Sequence, residues 1–198
     1  MTTTERAVSP VSEENPSERV PGGRDIWFFV LFESAIFTSY FCVYLFNRTQ
    51  HEQVFLFAQS HLLLWLGVLE TIVLLTSSWT MARCIQHARA GRYNASKRDA
   101  LLTAALGVVF LILKIVEWVR LIQAGHTFTS SEFFQYFFFL TVIHCIHLLI
   151  GFVVLGVLWY QLSDQKRRSQ QTVETCATYW HSVDFYWVVI FALLYVVR

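Results

Sequence analysis

The side chains with the greatest chemical capacity in this sequence sit inside its most apolar runs: Glu33, Glu70, Lys114 with Glu117, His144 with His147, and His181 with Asp184. Carboxylates and imidazoles in such settings relay protons, a carboxylate and an ammonium pair, and histidines ligate haem or metal. Each ionisable group inside a membrane span costs about 2.5–3.5 kcal/mol on insertion scales, so such groups face other helices and mark a function or a partner.

Spacing narrows the chemistry. Thr141, His144, His147 and Gly151 recur every three or four residues and so share one helical face. Two readings follow: neutral histidines that hydrogen-bond across helices, or a metal or haem site. Two histidines one turn apart cannot take opposite sides of one haem, so an axial pair needs His61 or His181 as the mate. His181 and Asp184 are also one turn apart. There the carboxylate either fixes the imidazole tautomer or serves as a favourable charge near a helix N-terminus. Lys114 can neutralise Glu117 three residues on. It has a second candidate partner, because Glu70 and Lys114 lie at a matching depth of about 12–13 Å from the ends of their spans at about 1.5 Å per residue. An interhelical Glu70–Lys114 ion pair is the expectation.

The elements that must position these groups are legible from hydropathy. Five stretches approach the roughly 20 residues that cross about 30 Å of hydrocarbon: Ile26 to Phe46, Leu62 to Ala82, Leu101 to Ile122, Phe133 to Tyr160 and Tyr179 to Val197. β-Barrel spans would instead alternate over about 10 residues. The expected fold class is all-α, an integral membrane bundle of five transmembrane helices over residues 25–198. Met1 to Arg24 has no apolar run and reads as a disordered tail, without the apolar core of a signal peptide. Lys and Arg gather in the tail, the second loop and the fourth loop, which predicts a cytoplasmic N-terminus and an outside C-terminus.

Of the 198 residues, 55% are hydrophobic and 15% charged, against about 25% charged in a soluble domain. A net charge of +1 without a basic face gives no reason to expect nucleic acid. Cys42, Cys84, Cys145 and Cys176 form no Cys-x-x-Cys pair and read as small apolar fillers.

The run Phe138-Phe139-Leu140-Thr141-Val142-Ile143-His144-Cys145-Ile146-His147, continuing to Gly151, resembles the F-x-x-T-G-x-H-G-x-H-V-x-x-G motif of haem-copper oxidase (cytochrome c oxidase) subunit III. Glu174 followed by Tyr179-Trp180-His181-Ser182-Val183-Asp184 and Trp187 resembles that family's E-x-x-x-x-Y-W-H-F-V-D-x-x-W. Weaker matches follow the same order: Phe32-Glu33, Leu74 to Ser78, and Leu106-Gly107 to Glu117-Trp118. Lys114 stands where the family usually has Gln and Glu70 where it usually has Asn, an exchange that a compensating ion pair would produce.

The resemblance implies a short, five-helix bacterial form of subunit III in a respiratory terminal oxidase, multi-pass in the plasma membrane. Such a subunit has no redox centre of its own: haem and copper lie in partner subunits. It binds catalytic subunit I, holds phospholipid, and sustains proton uptake in aerobic electron transport. On this reading Glu117, His144, His147 and Glu33 are the lipid-, cleft- or proton-related residues. Glu70, Lys114, Glu174, Trp180, His181 and Asp184 are structural polar groups, with no catalytic or metal-binding residue. Alternatives are an accessory subunit of a nitric oxide reductase, a divergent branch with the same fold, and a stand-alone bis-His haem protein. A proton or solute transporter built on Glu33, Glu70, Glu117 and Asp184 is a further class, for which repeated halves and broken helices are the usual signs.

Overall fold

The computed structural model describes residues 23–197. The expected unstructured tail over Met1 to Arg24 lies outside them, apart from its last two positions. The elements are α1 (Arg24–Gln50), α2 (Glu52–Gln59), α3 (Leu64–Arg89), α4 (Tyr93–Gln123), α5 (Glu132–Ser163) and α6 (Gln170–Phe191), followed by a single π-helical turn, Ala192–Val196. All but α2 and the π turn are long and apolar enough to cross a bilayer. The chain is thus an all-helical, multi-pass membrane protein.

Local chemistry sets the ends of these helices. After α3 the chain reverses at Gly91, with φ 71°, and after α4 at Gly125, with φ 86°. In both turns the next amide reaches back to a helical carbonyl, Arg92 N to His87 O at 2.8 Å and His126 N to Leu121 O at 2.9 Å. This is the left-handed closure that favours glycine. Ser131 and Ser169 cap α5 and α6 by accepting from the amides of Phe134 and Thr172.

α3 packs along α4 and α6, and α5 closes the bundle against α4 and α6. Helix α6 is the hub: in its most apolar window 56% of residues are buried, against 17% for α1, which leans on the outside. Trp180 and Trp187 of α6 are fully buried. Their indoles donate to hydroxyls of α3, Ser77 at 3.1 Å and Thr71 at 3.1 Å. The Trp180 indole lies where a Cβ on Gly107 of α4 or on Gly151 of α5 would come within 3.1 or 3.0 Å of it. One aromatic ring therefore fills the space beside both glycines.

Helix α6 starts at Gln170, well before the expected Tyr179. Asp184 stands several turns inside it, so a helix-dipole role for this carboxylate is ruled out. The polar stretch from Gln170 to Thr178 hides this start from hydropathy. The short α2 was also not anticipated. Its Phe55 and Ala58 are buried while Val54 and Phe57 are exposed, and it packs on α5.

Candidate functional site: a buried charge cluster and an interhelical groove

Lys114 extends from α4 into the space between α3, α6 and the π turn and is fully buried. Its Nζ lies 2.8 Å from Glu70 Oε2 and 2.6 Å from Glu117 Oε2. One ammonium therefore serves both partners anticipated for it. Nζ also donates to the Tyr195 hydroxyl at 3.1 Å. The Tyr195 hydroxyl in turn reaches both oxygens of Glu117, at 2.8 and 2.7 Å. Around the ammonium stand the rings of Trp187, Tyr195 and Phe137, with centroids 4.5, 5.5 and 5.7 Å away. Such faces attract a desolvated cation.

Tyr195 is the member that sequence reasoning missed. It follows Trp187 by two turns, a spacing that hints at a shared face. Its entry into the cluster depends on the π turn, a feature that often occurs at functional positions. Gly67 of α3 leaves room for it: a Cβ there would lie 2.8 Å from the Tyr195 ring.

His144 shares this interior. It is fully buried, walled by Phe110 and Trp187 at centroid distances of 5.4 and 5.1 Å, and neither ring nitrogen has a hydrogen-bond partner. His147 points elsewhere, because three residues along a helix rotate a side chain by about 60° from exact register. Its Nε2 meets Glu33 Oε1 of α1 at 3.1 Å. Its Nδ1 lies 2.9 Å from the Ile143 carbonyl, which only accepts, so Nδ1 carries a hydrogen. Nε2 and a carboxylate oxygen then attract only if a further proton lies between them. Glu33 and His147 form the polar floor of a groove enclosing about 160 Å³ between α1 and α5. Its walls are apolar or aromatic, including Phe32, Ile36, Tyr40 and Ile143.

The four residues grouped by sequence as cleft- or proton-related are thus divided. Glu33 and His147 line the groove, whereas Glu117 and His144 lie in the bundle interior. The other polar groups tie helices together. His181 Nδ1 meets Ser78 Oγ of α3 at 2.6 Å, and Asp184 is buried one turn further along α6. Glu174 accepts from Arg89 of α3 at 2.9 Å. His61 lies after α2, its ring 4.3 Å from that of His126. His144 packs on Phe110 and Trp187, whereas His181 meets Ser78 and His147 meets Glu33. No group of three or more His, Cys, Asp or Glu converges in a metal-binding arrangement among the described residues.

Outside the spans, His126 stacks on Phe134 at 4.7 Å. Desolvation and the neighbouring His61 hold its imidazole below the usual histidine range.

The described residues thus form an all-helical membrane bundle with five spans, internally paired charges and a groove on its flank. The family model of cytochrome c oxidase subunit III matches residues 23–197, and the chain belongs to that family. It is 29% identical over 188 residues to cytochrome c oxidase subunit 3 of Thermostichus vulcanus, covering 93% of this chain and 90% of that one. Its identity to the Synechocystis sp. protein of the same name is 34% over 171 residues, covering 84% and 72%. A haem-copper oxidase subunit I+III of Aeropyrum pernix is 26% identical over 180 residues, covering 87% of this chain and 22% of that longer one.

Proposed function

We propose that this chain is the non-catalytic subunit III of a respiratory cytochrome c oxidase, seated against catalytic subunit I in a bacterial plasma membrane. The Aeropyrum protein, whose name joins subunits I and III in one chain, supports that partnership. The N-terminus is cytoplasmic, because the α3–α4 and α5–α6 loops and the helix ends beside them carry Arg89, Arg92, Lys166, Arg167 and Arg168. Haem and copper belong to the partner subunits, and this chain supports their chemistry without taking part in electron transfer.

The observation that carries the supporting role is the α1–α5 groove. Its apolar wall and polar floor suit a phospholipid acyl chain, and its volume lies below the roughly 300–1,000 Å³ of drug-sized ligand sites. A lipid there fills the gap beside the weakly held α1. The Glu33–His147 pair beneath it keeps an exchangeable proton within the bilayer and so supports sustained proton uptake.

The test is purification of the tagged full-length chain from native membranes in mild detergent. Recovery of a haem-containing subunit I together with bound phospholipid is the expected result. A chain recovered without any oxidase subunit would overturn the assignment, and a stoichiometric haem spectrum from this chain alone would favour the haem-carrier alternative.

A further inference from the structure

We infer that the Glu70–Lys114–Glu117–Tyr195 cluster is a proton-binding site: it holds one proton on a carboxyl group, and Glu70 is the group that carries it. Two carboxylates face one ammonium, and Glu70, Lys114 and Glu117 are 0%, 0% and 2% exposed. With every group in its usual ionic form the cluster has a net charge of −1. An uncompensated charge in so dry an interior costs several kcal/mol, and retention of a proton removes it.

The hydrogen bonding selects the carrier. Glu117 accepts from Lys114 at Oε2 and from the Tyr195 hydroxyl, which spans both of its oxygens. Donors of that kind stabilise the ionised carboxylate. Glu70 has only the Lys114 contact at Oε2, and no hydroxyl donates to either of its oxygens. It is the member of the pair least equipped to remain an anion.

The neighbouring titratable groups do not supply the missing positive charge. An imidazolium at His144 would need two acceptors, yet both of its nitrogens are without partners, and the Lys114 charge lies in the same cage. Cys145 of α5 offers no cation, because a thiol is neutral or anionic. His147 and Glu33 pair with each other in the α1–α5 groove. A protonated Glu70 gains an O–H donor, while neutral His144 keeps an unpartnered acceptor nitrogen in the same interior. The chain thus contains a second proton-binding site, separate from the groove. The charge count holds whichever subunits the chain joins.

The experiment is infrared spectroscopy of the detergent-purified full-length chain, with the subunits that accompany it, as wild type, Glu70→Gln and Glu117→Gln. Wild type should show the carbonyl stretch of a neutral carboxylic acid, moving down in D2O, and Glu70→Gln should lose it while Glu117→Gln retains it. Because glutamine mimics a protonated carboxyl, Glu70→Gln should melt within about 2 °C of wild type, whereas Glu117→Gln should melt about 10 °C lower or fail to assemble. Retention of the band in Glu70→Gln, its loss in Glu117→Gln, or failure of Glu70→Gln to fold would overturn the assignment. So would equal destabilisation by the two variants.

Discussion

Glu33 Oε1 of α1 and His147 Nε2 of α5 meet at 3.1 Å on the floor of the groove that separates their helices. α1 is also held by α6, where Ser34 meets the Tyr186 hydroxyl at 2.9 Å and Phe37 stacks on the Tyr186 ring at 4.4 Å, and by α5 nearer its C-terminus, where Asn47 donates to the Tyr136 hydroxyl and the Tyr40 ring lies 4.9 Å from that of Phe139. The groove pair is thus the polar tie between α1 and α5 at the level of the groove.

Glu33→Ala should loosen α1. A hydrogen bond to a charged group contributes about 1.5–3 kcal/mol, so the docked population of α1 should fall by roughly tenfold or more relative to the open one. Hydrogen exchange across Phe29 to Tyr40 would read this directly. On the proposed function, the variant complex should also retain less phospholipid and inactivate sooner in continuous turnover.

Lys114→Met removes the ammonium and leaves the ionised Glu117 with only its Tyr195 contact. Breaking a buried pair from one side costs about 3–5 kcal/mol, which should appear as a large drop in melting temperature. In a Lys114→Met/Glu117→Gln double variant, which also removes the anion left behind, part of the loss should be recovered. A double variant no more stable than the sum of the two single losses predicts would show that the two positions are not coupled.

Gly151→Ala tests the seat of Trp180. The new Cβ would meet the ring at 3.0 Å, tighter than ordinary contact, and overpacking of this kind costs about 1–3 kcal/mol. A Cβ at Gly156, further along the same helix, would have nothing within 4 Å. Gly156→Ala should be neutral or slightly stabilising, since alanine is the better helix former. Thermal melting of the two variants side by side would settle the contrast.

The His61–His126 contact should respond to acid. Because the folded state holds the His126 imidazole below the ordinary value of 6.5, the unfolded chain binds more protons in the interval beneath 6.5. Stability from this site is therefore present above that pH and declines as pH falls through the interval. His126→Gln should reduce the loss of stability as pH falls below 6.5, measured as the difference between variant and wild-type melting shifts.

Much of the polar interior was legible because the cost of burying charge makes it conspicuous. Matching Glu70 and Lys114 by depth required only the helical rise and the predicted span ends, and the two side chains do meet. The roles of His144 and His147 were less accessible. A spacing of three places both on one broad face, but it does not reveal that α6 covers one and α1 the other. Nor could Tyr195 be placed, since its direction depends on a π turn whose hydrogen bonding has no clear signature in Ala192–Val196.

By itself the sequence determined the five spans, their all-helical class and the family, because hydropathy over 20 residues and motif spacing are local properties. It also determined that a charge would be paired inside the bundle, because the bilayer leaves few alternatives. Only the tertiary structure decided which partners each charge took. It placed one ammonium between two carboxylates and a phenol, isolated His144 among aromatic rings, and turned His147 outward to Glu33. Those outcomes depend on helix rotation and packing angle, and a few tens of degrees in either carries a side chain from one neighbour to another.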